Sequence, residues 1–168
     1  MTAIAPRENL SGKAVMVAGG RGFVGSHVVR ALVRAGARPV VFGPAMADDL
    51  LADVAGSVTD VVGSIEDREA LAAAFGRHRP NLVVSCVAHG AGRLGLMRTG
   101  EADLARSIAV NVSGFSTLLD EAAKAGIPRV VWTSSTVVYG PASAYGPALV
   151  RESDPTGPIT AYGLTKEL

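Results

Sequence analysis

The segment TAYGLTKEL at residues 160–168 sets Tyr162 and Lys166 four positions apart. On a helix that spacing puts both side chains on one face. A phenol beside an ammonium can move a proton, but at a cost. To act as a base near neutral pH the phenol must come down from a pKa of about 10 to about 7, roughly 4 kcal/mol of differential stabilisation. The same spacing also describes an ordinary pair on a helix surface, so the pair acquires meaning only from what stands beside it.

A second chemical feature lies near the start of the chain. VMVAGGRGFVGSHVV places Gly19, Gly22 and Gly25 at three-residue intervals, directly after an apolar run and at the opening of a helical pattern. Glycine permits a tight turn and a close approach of backbone to pyrophosphate, and a helix N-terminus adds free amides and partial positive charge. The stretch reads as a dinucleotide cradle formed by Gly19, Arg21, Gly22, Phe23, Val24 and Gly25, the alternative being a tight turn that holds nothing.

These residues need elements to position them. Short β-branched runs occur at 13–20, 38–43, 58–63, 81–88 and 129–135. They lack strict alternation, which is the pattern of strands covered on both faces in a parallel sheet. Between them the sequence predicts helices over 24–35, 47–54, 67–78 and 101–124. In the first, Val24, Val28, Ala31, Leu32 and Ala35 form the expected inner face, and Gly36 the stop. The order βαβαβαβαβ predicts an α/β doubly wound parallel sheet of Rossmann type, with its ligand beyond the carboxyl ends of the strands. Two irregular stretches, 88–100 and 140–158, follow strands and so fall on that side; the second is longer than a simple connection requires.

Composition narrows the classes. The chain has 168 residues, 48% hydrophobic and 18% charged, with a formal net charge of +1. That balance argues against nucleic acid as a partner and against a disordered chain, and the length suits one domain. The single cysteine, Cys86, rules out an internal disulfide framework and fits a reducing compartment, read as cytoplasm. The N-terminal MTAIAPRENLSGK lacks a signal peptide's apolar core, and the later apolar runs are too short for a membrane span. His78 and His89 have no metal-ligand spacing with Cys86, so no metal is assigned. Packing is the expected role of His27, and core that of Trp132.

Several motifs in register resemble the extended short-chain dehydrogenase/reductase family, the nucleotide-sugar epimerases and dehydratases. They are GGRGFVGSH at 19–27, NVSGFSTLLDEAAKAGIPRVV at 111–131, TSSTVVYG at 133–140 and RESDPTGPITAYGLTK at 151–166. The resemblance implies NAD(P) as cofactor and a nucleotide sugar or related alcohol as substrate. It implies Ser135, Tyr162 and Lys166 as the catalytic trio, with Asn111 helping to hold the lysine and a water. Tyr162 would take a hydroxyl proton as hydride passes to the cofactor, helped by the Lys166 and nicotinamide charges, while Ser135 bonds the developing carbonyl oxygen. Ser64, Ile65, Val87 and Ala88 would line the cofactor together with Tyr162 and Lys166.

The sequence also departs from the family. The acid expected at the end of the second strand to hold the adenosine ribose is replaced by Gly43. No carboxylate there repels a 2′-phosphate, and Arg21 and Arg38 either pair with one, a lean towards NADP, or are solvated surface residues. GSIED at 63–67 has Ser64 where the family has its first acid, and keeps Asp67. Ser85 stands where a histidine is common.

The resemblance implies that about half of the family's usual length is absent, including the small domain that grips the sugar nucleotide. The expectation is therefore one dinucleotide-binding domain over 1–168, with a final helical turn prone to fray. Two readings stay open: an epimerase, dehydratase or reductase, and a dinucleotide-binding or interaction module without turnover. The family commonly dimerises through helices corresponding to 101–124 and to the one starting near Thr160, which implies a homodimer.

Overall fold

The computed structural model describes residues 9–46, 50–90, 94–146 and 149–168. Its centre is β1 (Ala14–Ala18), buried at all five positions. Val15 and Val17 join one apolar cluster while Met16 and Ala18 join another on the opposite face, the period of two that a strand imposes. Around it run β2 (Arg38–Gly43), β3 (Thr59–Val62), β4 (Leu82–Ser85) and β5 (Val130–Trp132). All pairings are parallel, in the order β3-β2-β1-β4-β5. The winding reverses between β1 and β4, which opens the ligand crevice of a Rossmann-type sheet there.

The predicted helix over 24–35 is α1 (Phe23–Arg34), but it is rotated from the expected face. Gly25, Ser26, Val29 and Leu32 are buried, while Val24 is 53% exposed. The cause is local: a Cβ on Gly25 would lie 2.1 Å from the Gly19 carbonyl oxygen, so this contact fixes the helix about its axis more firmly than its valines do. Helix α2 (Arg68–His78) matches expectation, with the Asp67 carboxylate accepting from the Ala70 amide at 3.0 Å as its N-cap.

Two predicted helices differ. In place of a helix over 47–54 there is a 3₁₀ turn, Ala52–Ser57, that seats Leu51 and Val54 on the α1-side cluster; residues 47–49 lie outside the described residues. The single helix expected over 101–124 is broken. Helix α3 (Gly95–Ala102) begins inside the stretch expected to be irregular, of which 91–93 are not described. Asp103 leaves helical geometry at φ −144° and caps α4 (Leu104–Ile108), accepting from the Arg106 amide at 2.9 Å. A π-helical turn, Ala109–Gly114, then leads into α5 (Phe115–Lys124). Such widened turns are frequent at functional sites, and this one buries Asn111.

β5 is three residues long and forms one edge of the sheet. Trp132, expected in the core, is 50% exposed; its ring leans on Phe115 with centroids 5.7 Å apart. A three-residue edge strand buries little by itself, and α5 reaches only this side of the indole. In the 140–158 stretch, of which 147 and 148 are not described, Ala142–Ala144 make a 3₁₀ turn. The Tyr145 hydroxyl there meets the carbonyls of Tyr139 and Pro155, each at 2.6 Å. The last helix is α6 (Ala161–Glu167), capped by Thr160, whose Oγ1 accepts from the Gly163 amide at 3.0 Å. Among the described residues no helix is long and apolar enough to cross a membrane.

Candidate active site

The glycine turn is built to receive an anion. Gly22 caps α1 without a side chain, and the first turn of α1 carries no acid. The amides of Phe23, Val24 and Gly25 lie ahead of the first intrahelical bond, from Ser26 N to Gly22 O at 2.8 Å, and so remain available to a ligand. Gly19 adopts φ +75°, and its backbone packs on the end of β4: a Cβ there would lie 3.0 Å from the Cys86 carbonyl carbon and 3.1 Å from the Val87 nitrogen. Side chains at Gly19 or Gly25 would collide with the backbone of the turn or of the β4 end, so the glycines keep the turn tight and its free amides in place, an arrangement that suits a pyrophosphate.

The Tyr162 and Lys166 pair reaches the same strand end from the other side. Lys166 Nζ donates to the Val87 carbonyl at 3.1 Å and lies 5.9 Å from the centroid of the Tyr162 ring. Both side chains are buried. Val87, next to Gly19's neighbour Cys86, is therefore where the two motifs meet, and part-exposed Ala88 follows it.

Burial pushes the Tyr162 phenol above its ordinary pKa, opposite to what a base near neutral pH requires. Burial also lowers Lys166, with Cys86 partly opposing, and raises Cys86, with Lys166 partly opposing. Neither Tyr162 nor Lys166 makes a hydrogen bond to the other among the described residues; the ammonium is committed to Val87.

Asn111 does not bond to Lys166. Its Oδ1 accepts from the His89 amide at 2.7 Å, and its Nδ2 donates to Thr165 Oγ1 at 2.9 Å. Thr165 Oγ1 in turn donates to the Tyr162 carbonyl at 2.8 Å. Asn111 thus ties the loop after β4 to α6 and positions Lys166 through the residue before it. The sequence reading missed Thr165; the available signal was a hydroxyl at i+3 from Tyr162, able to return to the helix backbone. Glu101 makes a further tie, its carboxylate accepting from the Ala161 amide at 2.8 Å. Ser135 opens the 3₁₀ turn Thr136–Tyr139, its Oγ accepting from the Val137 amide at 3.4 Å, and that turn packs against α6.

On the opposite side of the crevice, Ser64 is held within its own loop. Its Oγ accepts from the Glu66 amide at 3.2 Å and donates to the Glu66 carboxylate at 3.4 Å, and Arg106 grips that carboxylate with both nitrogens at 2.5 and 2.6 Å. Ile65 is buried, and Asp67 is spent on capping α2. Arg38 begins β2, at the end of the sheet away from the crevice, and donates to the Gly12 carbonyl at 3.0 Å; it cannot reach a cofactor phosphate. Arg21 does lie at the crevice end, donating to the Gly43 carbonyl at 3.0 Å. Exposed His27 packs edge-on against Phe23, centroids 5.0 Å apart. Among the described residues no group of three or more His, Cys, Asp or Glu side chains could hold a metal. A cavity of about 520 Å³ lies beside the pair, between α5 and α6, with Asn111, Phe115, Trp132, Thr165 and Lys166 in its wall.

Comparison with known proteins gives the family and the fold. Residues 15–168 match the NAD dependent epimerase/dehydratase family. The chain is 34% identical over 171 residues to a UDP-glucose 4-epimerase of Azospirillum brasilense, which covers 98% of this chain and 43% of that protein. It is 33% identical over 165 residues to one from Neisseria meningitidis serogroup B, 93% of this chain and 46% of that protein. Among solved structures, an epimerase of Methanothermobacter thermautotrophicus superposes with a TM-score of 0.81 at 28% identity, over 94% of this chain and 45% of that one. The Bordetella bronchiseptica enzyme WbmG in complex with NAD and UDP gives 0.74 at 28% identity, over 93% and 47%. The chain spans about half the length of the curated relatives it matches.

Proposed function

This chain belongs to the NAD dependent epimerase/dehydratase family, and we propose that it carries the dinucleotide site and the proton-transfer residues of an epimerase or dehydratase acting on a nucleotide sugar. The observation that carries the proposal is the meeting of two motifs at one strand end: the α1 cradle packs on Cys86 and Val87, and Lys166 donates to the Val87 carbonyl. The UDP-glucose 4-epimerase relatives and the NAD and UDP in the WbmG complex support the cofactor and substrate classes.

The free amides at the start of α1 would hold the pyrophosphate. When bound, the oxidised dinucleotide supplies a hydride acceptor and a positive charge. Tyr162 takes the proton from a sugar hydroxyl, Ser135 Oγ donates to the oxygen as it becomes a carbonyl, and Lys166 keeps its ammonium against the Tyr162 ring. Because burial raises the Tyr162 phenol, Lys166 alone does not make it a base; activation belongs to the loaded site. Half-exposed Leu104, Ile108 and Leu119 on α4 and α5 suit a homodimer, which sedimentation of the protein would detect.

The test is hydride transfer with UDP-hexose substrates for the protein and for Tyr162→Phe, with NAD binding measured on both by calorimetry. The expected loss is about 10²- to 10⁴-fold in turnover with dinucleotide affinity kept. Equal, nonzero rates would remove Tyr162 as the base. Dinucleotide binding by the unaltered protein without any turnover would favour the second reading, a binding module, to which the raised Tyr162 phenol points.

A further inference from the structure

At the crevice end of β2 the chain has no side chain to meet an adenosine ribose, because Gly43 is there. The space is occupied from elsewhere. Arg21 reaches over from the glycine turn, and its Nη1 donates to the Gly43 carbonyl at 3.0 Å and to the Pro44 carbonyl at 3.3 Å. Its Nη2 is bonded to the carboxylate of Asp60, on the neighbouring strand β3. The register sets Asp60 beside Val41, two positions short of the Gly43–Val62 pair at the strand ends. Arg21 is 14% exposed at its side chain and Asp60 57%, so the guanidinium is packed down while one edge of the carboxylate faces outward.

Resting on the dinucleotide reading above, we propose that Asp60 sets this protein's preference for NAD over NADP. A guanidinium at the ribose end would favour a 2′-phosphate. Here three acceptors hold it, two backbone carbonyls and one carboxylate, and the carboxylate cancels its charge. Asp60 also adds a partly exposed negative charge next to Arg21, which would disfavour a 2′-phosphate at that guanidinium. The cavity next to the pair, about 340 Å³, is otherwise walled by apolar residues including Met46, Leu51 and Val58. Among the described residues lining it, Arg21 is the only base and Asp60 the only acid, so no second cation compensates. The carboxylate that the strand-end glycine lacks is supplied one strand over and works through the arginine.

The test is calorimetric titration of NAD and NADP into the protein, Asp60→Asn, and Asp60→Asn combined with Arg21→Met. The expected result is an NAD preference in the unaltered protein that moves towards NADP by about tenfold or more in Asp60→Asn, the size of one charge-assisted contact. The double variant should lose that gain. Asp60 is exposed, so Asp60→Asn should fold; a thermal melt on each variant verifies it. An unchanged NAD to NADP ratio in Asp60→Asn, with NAD still bound, overturns the role of Asp60 and leaves the dinucleotide site standing. An NADP preference in the unaltered protein overturns it as well. Binding of neither dinucleotide by the unaltered protein overturns both this proposal and the reading beneath it.

Discussion

The two halves of the crevice are held in different ways. Under the glycine turn, β1 is sealed on both faces, with Met16, Phe42, Leu71 and Phe75 essentially inaccessible in one cluster and Val15, Val17, Val29 and Val41 in the other. Around Tyr162 and Lys166 the apolar support thins out: Val131 and Trp132 on β5 are about half exposed, and Leu164 on α6 is 46% exposed. Polar ties replace it, from Asn111 to Thr165, Glu101 to Ala161 and Lys166 to Val87. A cradle for phosphates needs a rigid floor, which close packing gives. The proton transfer proposed for Tyr162 and Lys166 needs orientation, which directional hydrogen bonds give.

The sharpest way to break this contrast is to cut one large side chain from each half. Leu71→Ala, at a fully buried position of α2, should cost about 2–5 kcal/mol of unfolding free energy. Trp132→Ala removes a bigger group but should cost only about 1 kcal/mol, chiefly its contact with Phe115. Urea unfolding measures both. Equal losses would mean that the β5 flank is as well packed as the centre, and the contrast would fail.

Gly25→Ala is next in size. The added methyl would meet the Gly19 carbonyl oxygen at 2.1 Å and the Gly20 Cα at 2.7 Å, both backbone, so the turn must shift. Overpacking of this kind costs about 1–3 kcal/mol. Dinucleotide affinity should fall with it, because the same shift moves the amides. Unaltered affinity in a folded Gly25→Ala protein would show that the cradle tolerates a looser floor.

Removing a polar tie probes the other half. Asn111→Ala leaves the His89 amide without its acceptor and takes away the donor to Thr165 Oγ1, which keeps its bond to the Tyr162 carbonyl, a loss of about 1–3 kcal/mol. Hydride transfer should drop by more than dinucleotide affinity does, since α6 is released while the cradle stays. Thr165→Val should reproduce the catalytic loss in part. A variant that lost NAD affinity and turnover equally would instead make Asn111 part of the common scaffold.

How much of this was legible follows the same division. The five strands, their parallel arrangement and the tight glycine turn before α1 could be read because apolar runs and glycine spacing are local signals. The rotation of α1 could not, because it is set by the contact of Gly25 with Gly19 rather than by the periodicity of Val24, Val28 and Ala31. The break at Asp103 was missed since a residue that can cap a helix reads, in a run of helix formers, like any other polar position. The pairing of Arg21 with Asp60 depends on a strand register, and for Arg38 the surface reading holds, a choice the sequence left open because proximity to β2 does not say which end faces the crevice. Ser135, Tyr162 and Lys166 were visible as a motif, whereas Thr165 became visible only when α6 met the π-helical turn.

The smallest effect expected lies where the two halves are tied on the far side of the sheet. Buried Glu121 on α5 takes an ion pair from Lys124 at 2.7 Å and another from Arg68 at the start of α2. The Lys124 bond first, and then Arg68, hold its carboxyl below the ordinary value against the opposing effect of burial. The sign follows. A carboxyl whose pKa is depressed by folding contributes stability that is fully present above the unfolded value, about 4.5, and is lost as pH falls through the lower, folded value. The unaltered protein should therefore lose stability between about pH 4.5 and the folded value more steeply than Glu121→Gln, which carries no proton to bind there. Near pH 7 the two should differ only modestly, since Arg68 and Lys124 are both partly solvated and screen the loss. Urea midpoints measured from pH 7 down to pH 3 provide the comparison. Parallel curves would show that the Glu121 pairs hold α2 and α5 together by shape alone.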